Sequence, residues 1–206
     1  EPLLEVFETL TTSFDGGFEE STEVLLQGDL ATPERHNALV ASLAAAGQVE
    51  DVETLGGQPD ASSLVSVLGQ AFADPELAGQ LAALGVQEDL TVAPDADVAA
   101  IHELLLAEVE TAGDVLAPDG EDGLARVSLR TSAGQPGAAD LAVALDEAFA
   151  PLRDTGVEVV PTSQQIVQAR IGQDIEDSQI TSLLIALGAA MALLVVHFSI
   201  AERRPI

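Results

Sequence analysis

Residues 125–131 read ARVSLRT. Ala125, Val127, Leu129 and Thr131 alternate with Arg126, Ser128 and Arg130. That period of two is the pattern of a half-buried β-strand, apolar on one face and polar on the other. A helix pattern follows it. Leu141, Ala144, Leu145, Ala148, Phe149 and Leu152 recur at helical spacing, and Gly156 closes the helix. Residues 157–160 return as a short apolar strand ended by Pro161. The stretch from 125 to 160 is therefore a β-α-β unit.

A similar unit is expected upstream. Residues 23–30, EVLLQGDL, hold a short apolar run before Gly28. Thr32-Pro33-Glu34 then reads as a helix start, with Thr32 as N-cap and Pro33 at the first helical position. Leu39, Val40, Leu43 and Ala46 make one helical face, Gly47 ends it, and residues 49–55 form a strand before the Gly56-Gly57 turn. Between the two units the chain reads as helical, over residues 61–117. Leu64, Val65, Leu68 and Phe72 line one helix; Asp74-Pro75-Glu76 starts another, which runs to Gly85; Val98, Ile101, Leu105, Val109 and Ala112 make a third stripe. The fold class expected is α+β: two βαβ units with a helical insert.

Beyond Pro161, Thr162 caps a helix in which Val167, Ile171 and Ile175 recur every four residues. No strong breaker follows, since Gly172 and Gly188 are tolerable inside a helix. Residues 180–201, ITSLLIALGAAMALLVVHFSIA, contain no Asp, Glu, Lys or Arg. About 20 helical residues span the ~30 Å hydrocarbon layer of a bilayer. One long helix over 162–201 is thus expected to leave the outer domain and enter the membrane. Arg203 and Arg204 follow the span, which places residues 202–206 in the cytoplasm and residues 1–179 outside. Ser182, Ala186 and Ala190, with Gly188 and Ala192, form small-residue stripes that suit close packing of another helix in lipid.

Composition indicates the surroundings. Among 206 residues 35 are acidic and 7 basic, all of the latter Arg, for a net charge of −28. Nucleic-acid binding is excluded as a reading, because that affinity comes from Lys and Arg neutralising phosphates. Cys is absent, so disulfides, thiolate metal sites and thiol nucleophiles are excluded too. Carboxylate excess without Lys suggests a protein of concentrated brine, as in a haloarchaeon. There the Debye length falls to ~3 Å at 1 M salt and self-repulsion becomes tolerable. The chain opens at Glu1 and its one Met is Met191. It is therefore read as a fragment or an excised segment.

Few residues invite a chemical role. His102 lies beside the stripe from Val98 to Ala112, where a boundary histidine is favoured over a ligand. His36 falls in the first turn of a helix and is expected to face solvent. His197 lies inside the apolar span, near its cytoplasmic end, where ionisable residues are functional candidates. The three are too far apart in sequence for a zinc-type spacing. Asp119-Gly120-Glu121-Asp122-Gly123 is out of register with a calcium loop and reads as a solvated acidic turn. Arg126 and Arg130 share a strand face and could meet an anionic headgroup, but pairing with local acids is favoured. No nucleophile elbow, P-loop, GxGxxG or HExxH pattern occurs. No enzyme activity, cofactor, metal or catalytic residue is expected.

Three stretches resemble the large outer loop of RND (resistance-nodulation-division) superfamily transporters, in the MMPL-like and patched-like branch. Residues 22–39, TEVLLQGDLATPERHNAL, resemble that family's strand, G-D turn and P-E helix start. Residues 157–165, VEVVPTSQQ, resemble the strand that leads to the last loop helix. Residues 177–205, DSQITSLLIALGAAMALLVVHFSIAERRP, resemble the second span of a repeat. They depart from the common aromatic-Arg ending, since Ser199 follows Phe198 and the Arg pair comes later. The resemblance implies a ferredoxin-like, porter-like extracytoplasmic domain over 23–160, preceded by a connecting segment, 1–22. It also implies ion-gradient-driven export of lipids, drugs or other hydrophobic solutes by a multi-pass protein of the cell membrane. The family's ion-coupling acids lie on a later span, so none falls here. Implied partners are membrane lipids, the remaining transmembrane helices of the parent chain, a hydrophobic or lipid substrate and a second copy in a homo-oligomer. The alternative is a surface sensor or adhesion domain tethered by one C-terminal helix.

Overall fold

The structure is a computed structural model and describes residues 20–117, 123–163 and 165–167. It is α+β, with an antiparallel sheet covered on one face by helices. The central strands are β1 (Glu20–Gln27) and β6 (Leu124–Thr131). They pair antiparallel in a register that sets Val24 opposite Val127. Strand β7 (Glu158–Thr162) lies on the other side of β1, also antiparallel, with Leu25 opposite Val160.

The alternation in β6 is realised as expected: Ala125, Val127, Leu129 and Thr131 are buried, and Arg126 and Arg130 are exposed. Strand β1 starts at Glu20, three residues before the expected stretch 23–30. It stops at Gly28, whose φ of +146° suits glycine. The inner face buries Val24, Leu26, Ala125, Val127, Leu129 and Val159. Thr22 and Thr131, both buried there, join through their hydroxyls at 3.0 Å, so neither leaves a polar atom bare. The outer face keeps Leu25, Leu124 and Val160 partly exposed between charged neighbours.

Helix α1 (Pro33–Ala46) begins where Thr32 predicts it, with the Thr32 side chain accepting from the Arg35 N–H. The strand expected over 49–55 is broken up. Val52 bridges Thr131, and the Glu53 N–H donates to the Arg130 carbonyl at 2.9 Å. The chain then leaves the sheet as a small hairpin, β2 (Thr54–Leu55) and β3 (Gln58–Pro59). Gly56 and Gly57 turn it, both at positive φ. The chain returns when the Arg130 N–H donates to the Asp60 carbonyl, and β4 (Ala61–Ser62) resumes pairing with β6. One interrupted edge strand thus takes the place of the expected continuous one. Short, broken edges resist pairing with another chain.

The helices between are α2 (Leu64–Phe72), α3 (Pro75–Ala83), α4 (Val98–Glu108) and the short α5 (Ala112–Val115). The expected cap at Asp74 acts, and a second, at Ser63, went unread in the sequence. Asp74 accepts from the N–H groups of Glu76 and Leu77, and Ser63 forms a reciprocal capping box with Ser66. In α2 the buried face is Leu64, Val67, Leu68 and Ala71, and Val65 and Phe72 lie at its margin. The third stripe does not stay on one helix. Val109 is extended, and Ala112 belongs to α5. The outer ends of the expected insert belong to the sheet, since β4 and then β5 (Leu116–Ala117) pair with β6.

The second unit's helix is two: α6 (Ala138–Ala148) and α7 (Ala150–Arg153), divided at fully buried Phe149. Pro161 does not end the last strand. It sits within β7, at the sheet edge, which is where a strand tolerates proline. Thr162 is still in that strand, and the Ser163 hydroxyl caps instead, accepting from the Ile166 N–H at 3.1 Å. Residues 165–167 are helical. The rest of the expected long helix and its apolar span, 180–201, lie outside the described residues, as do residues 1–19. Among the described residues no helix is long and apolar enough to cross a membrane.

Candidate functional site

The turn from β1 into α1 is held from several sides. The Gly28 N–H donates to the Gly123 carbonyl at 3.0 Å. Gly123 has φ +64°, and a Cβ there would stand 2.9 Å from the Gly28 oxygen, so this approach needs glycine. The Asp29 carboxylate accepts from the Ala31 N–H. Arg35 in α1 donates to the Asp29 carbonyl at 2.6 Å and to the Thr155 carbonyl at 3.3 Å, which ties the turn to the end of α7.

The next two residues of α1 reach the other way. His36 does not face solvent; it is fully buried. Its Nε2 donates to the Leu90 carbonyl at 3.0 Å, which leaves Nδ1 unprotonated, buried and without a partner. Burial pushes its pKa below the ordinary value, against a smaller opposing effect of that hydrogen bond. Asn37 makes two bonds to Val92, donating to its carbonyl at 2.9 Å and accepting from its N–H at 2.8 Å. Together they clasp the loop over residues 87–92 onto α1. Leu90 within that loop has φ +64°, a conformation unfavourable for a leucine. The Leu90 N–H donates to Gln87, and Gln87 donates to Thr91.

His102 is half-buried on α4, as a boundary histidine would be. Its Nε2 is nevertheless buried with no hydrogen-bond partner. Its pKa is lowered to about 4, chiefly by burial and then by the neighbouring His36, with Asp29 working in the opposite direction. His102 lines a cavity of about 220 Å³ between the β1–α1 turn, α4 and the β5–β6 edge. Leu30, Ala99, Leu106, Leu116 and Leu124 are among its apolar walls. Sequence reading took His102 alone and missed this cavity. The signal present was the face Ala99, His102, Glu103 and Leu106, at i, i+3, i+4 and i+7, whose partners come from distant parts of the chain.

Arg126 and Arg130 pair with acids as expected, Nε of Arg126 at 3.7 Å from Glu23 and Nε of Arg130 at 3.5 Å from Asp60. These pairs are half-exposed and contribute little to stability. His197 and Asp119, Gly120, Glu121 and Asp122 lie outside the described residues. Among the described residues no three His, Asp or Glu side chains converge to hold a metal ion. No family model, no curated protein and no solved structure matches the chain.

Proposed function

We propose that this chain is the outer domain and following span of an RND-superfamily exporter of the MMPL-like and patched-like branch. The exporter would use an ion gradient to expel lipids, drugs or other hydrophobic solutes. The observation that carries the reading is the sheet order. The strands of each β-α-β unit are not neighbours; each pair encloses a strand of the other unit, with β7, β1, β6 and the edge strand β4 in sequence across the sheet. That order agrees with a split βαβ, ferredoxin-like arrangement, which the reading expects of a porter-like outer domain. The stretch over 180–201, without Asp, Glu, Lys or Arg, supports the membrane part of the reading. In this reading residues 1–179 are extracytoplasmic and the span packs against other helices of the parent chain.

The absence of Cys makes labelling with a membrane-impermeant maleimide clean. Val143→Cys, at a 61% exposed position on α6, is expected to label in intact cells. Pro205→Cys is expected to label only after permeabilisation. The reverse pattern, or recovery of the chain outside the membrane fraction, overturns the topology. Reading the parent gene separates exporter from tether. Several further apolar stretches of about 20 residues support the exporter. A stop codon after Ile206 with no upstream span overturns it and leaves a tethered sensor or adhesion domain.

A further inference from the structure

Residues 86–92 form a small hairpin with a neck and a tip. At the neck Val86 and Val92 are buried and bridge one another, and the Ala93 N–H donates to the Gly85 carbonyl beside them. Asn37 on α1 holds this neck through its two bonds to the Val92 backbone. The tip is held more lightly. Gln87, Glu88 and Asp89 are exposed, and α1 reaches the tip through the bond from His36 Nε2 to the Leu90 carbonyl. Leu90 is half-buried at φ +64°. Its side chain lies against α2, where a Cβ added at Gly69 would stand 3.3 Å from Leu90 Cδ1. Leu90 thereby forms one wall of a cleft of about 380 Å³ between α1, α2 and β3, lined also by Val40, Leu43 and Val65.

Under this tip the His36 ring is sealed from water, and its Nδ1 has no hydrogen-bond partner. A second proton on the ring goes to Nδ1, and a buried N–H without an acceptor is unfavourable. The bond to Leu90 tolerates that proton; the closed surroundings of Nδ1 do not. Of the elements over the ring, α4 is anchored in the core by Val98, Ile101 and Leu105, whereas the tip is anchored by Leu90, whose unfavourable φ is relieved on opening. The tip therefore gives way first. Asp29 and Arg35 pair at 3.9 Å on the side of the β1–α1 turn. Helix α4 brings His102 and Glu103, the tip carries Glu88 and Asp89, and α2 has no charged residue. His102 stays neutral above about pH 4, and the Thr91 hydroxyl and amide hold the Asp89 carboxyl below the usual carboxylate range. We propose that residues 87–91 are an acid-operated latch: His36 takes up a proton, the tip lifts Leu90 off α1 and α2 and opens the cleft, and the neck stays clasped by Asn37. The latch goes beyond the exporter reading and does not rest on it.

Amide hydrogen exchange on the full chain, in lipid nanodiscs at molar KCl, reads the latch residue by residue. Rates are converted to protection factors, which removes the intrinsic pH dependence of exchange. Below the ordinary imidazole value of 6.5 the open tip binds one more proton than the closed one. Protection of the Gln87 and Leu90 amides, bonded within the tip, is expected to fall about tenfold per pH unit from 6.5 to about 5. Val92, held by Asn37, and the amides of β1 and β6 should stay far better protected at every pH, because they exchange through larger openings. His36→Gln keeps a donor for the Leu90 carbonyl but does not titrate, so its tip protection should not vary with pH. His102→Gln should retain the wild-type slope. Constant tip protection in the wild type overturns the proposal. Tip protection equal to that of β1 and β6 throughout means global unfolding and overturns the latch; neither comparison needs a variant. A slope retained in folded His36→Gln overturns His36 as the group that takes the proton.

Discussion

Two histidines set the behaviour at the scale of single residues. Because burial disfavours the imidazolium, folded His36 and His102 hold a proton less tightly than the unfolded chain does, where the ordinary value is 6.5. Stability is therefore fully present above pH 6.5. It falls as pH drops from 6.5 towards 4, where His102 itself titrates, and this contribution stops changing below that. At 1.36 kcal/mol per unit, His102 alone accounts for about 3 kcal/mol over that window. Thermal melts of wild type and His102→Gln between pH 4.5 and 7.5, in molar salt, should show a flatter dependence in the variant. Parallel curves would mean that His102 does not carry the effect. The sequence placed His102 correctly as a boundary histidine at the margin of a buried helix face, from its position beside an apolar stripe. It misplaced His36, because a first-turn position says nothing of what packs over it. The covering loop comes from 54 residues away.

Among elements, the clasp between α1 and the loop over 87–92 joins the first unit to the helices that follow it. Asn37→Ala removes two hydrogen bonds to the Val92 backbone and leaves a buried amide and carbonyl unpaired. A loss of about 2 kcal/mol is expected, which lowers the melting temperature by about 4–8 °C in a domain of this size. Amide exchange should quicken first in residues 85–97, and uniform quickening across the sheet would contradict a local clasp. Element starts were legible wherever a cap and a proline stood together, as at Thr32-Pro33 and Asp74-Pro75, because both act within one turn. The edge strand was not. The apolar residues over 49–55, Val49, Val52 and Leu55, stand three apart and give no period of two, and the Gly56-Gly57 turn carries the end of the stretch out of the sheet. The resumed pairing at Ala61 and Ser62 is too short and too polar to announce itself.

For the whole molecule, charge and solvent come first. With 35 acidic residues against 7 Arg, the compact state repels itself in dilute buffer. Moving from molar KCl to low salt is expected to lower the melting temperature by about 10 °C, roughly 3–4 kcal/mol. Circular dichroism across a salt series checks this, and a salt-independent melt would remove the brine interpretation. The sequence by itself determined the α+β class, the strand period of β6, the helix starts at their caps and the acidic character of the surface. Each follows from periodicity, capping or composition, which are set within a few residues or by counting. Tertiary structure decided which strands are neighbours, how the edge strand is interrupted, that His36 is buried and that a cavity opens beside His102. Those features rest on contacts between residues far apart in the chain, such as Thr22 with Thr131, 109 positions on. No local pattern encodes a partner at that distance; only burying one common core brings the two together.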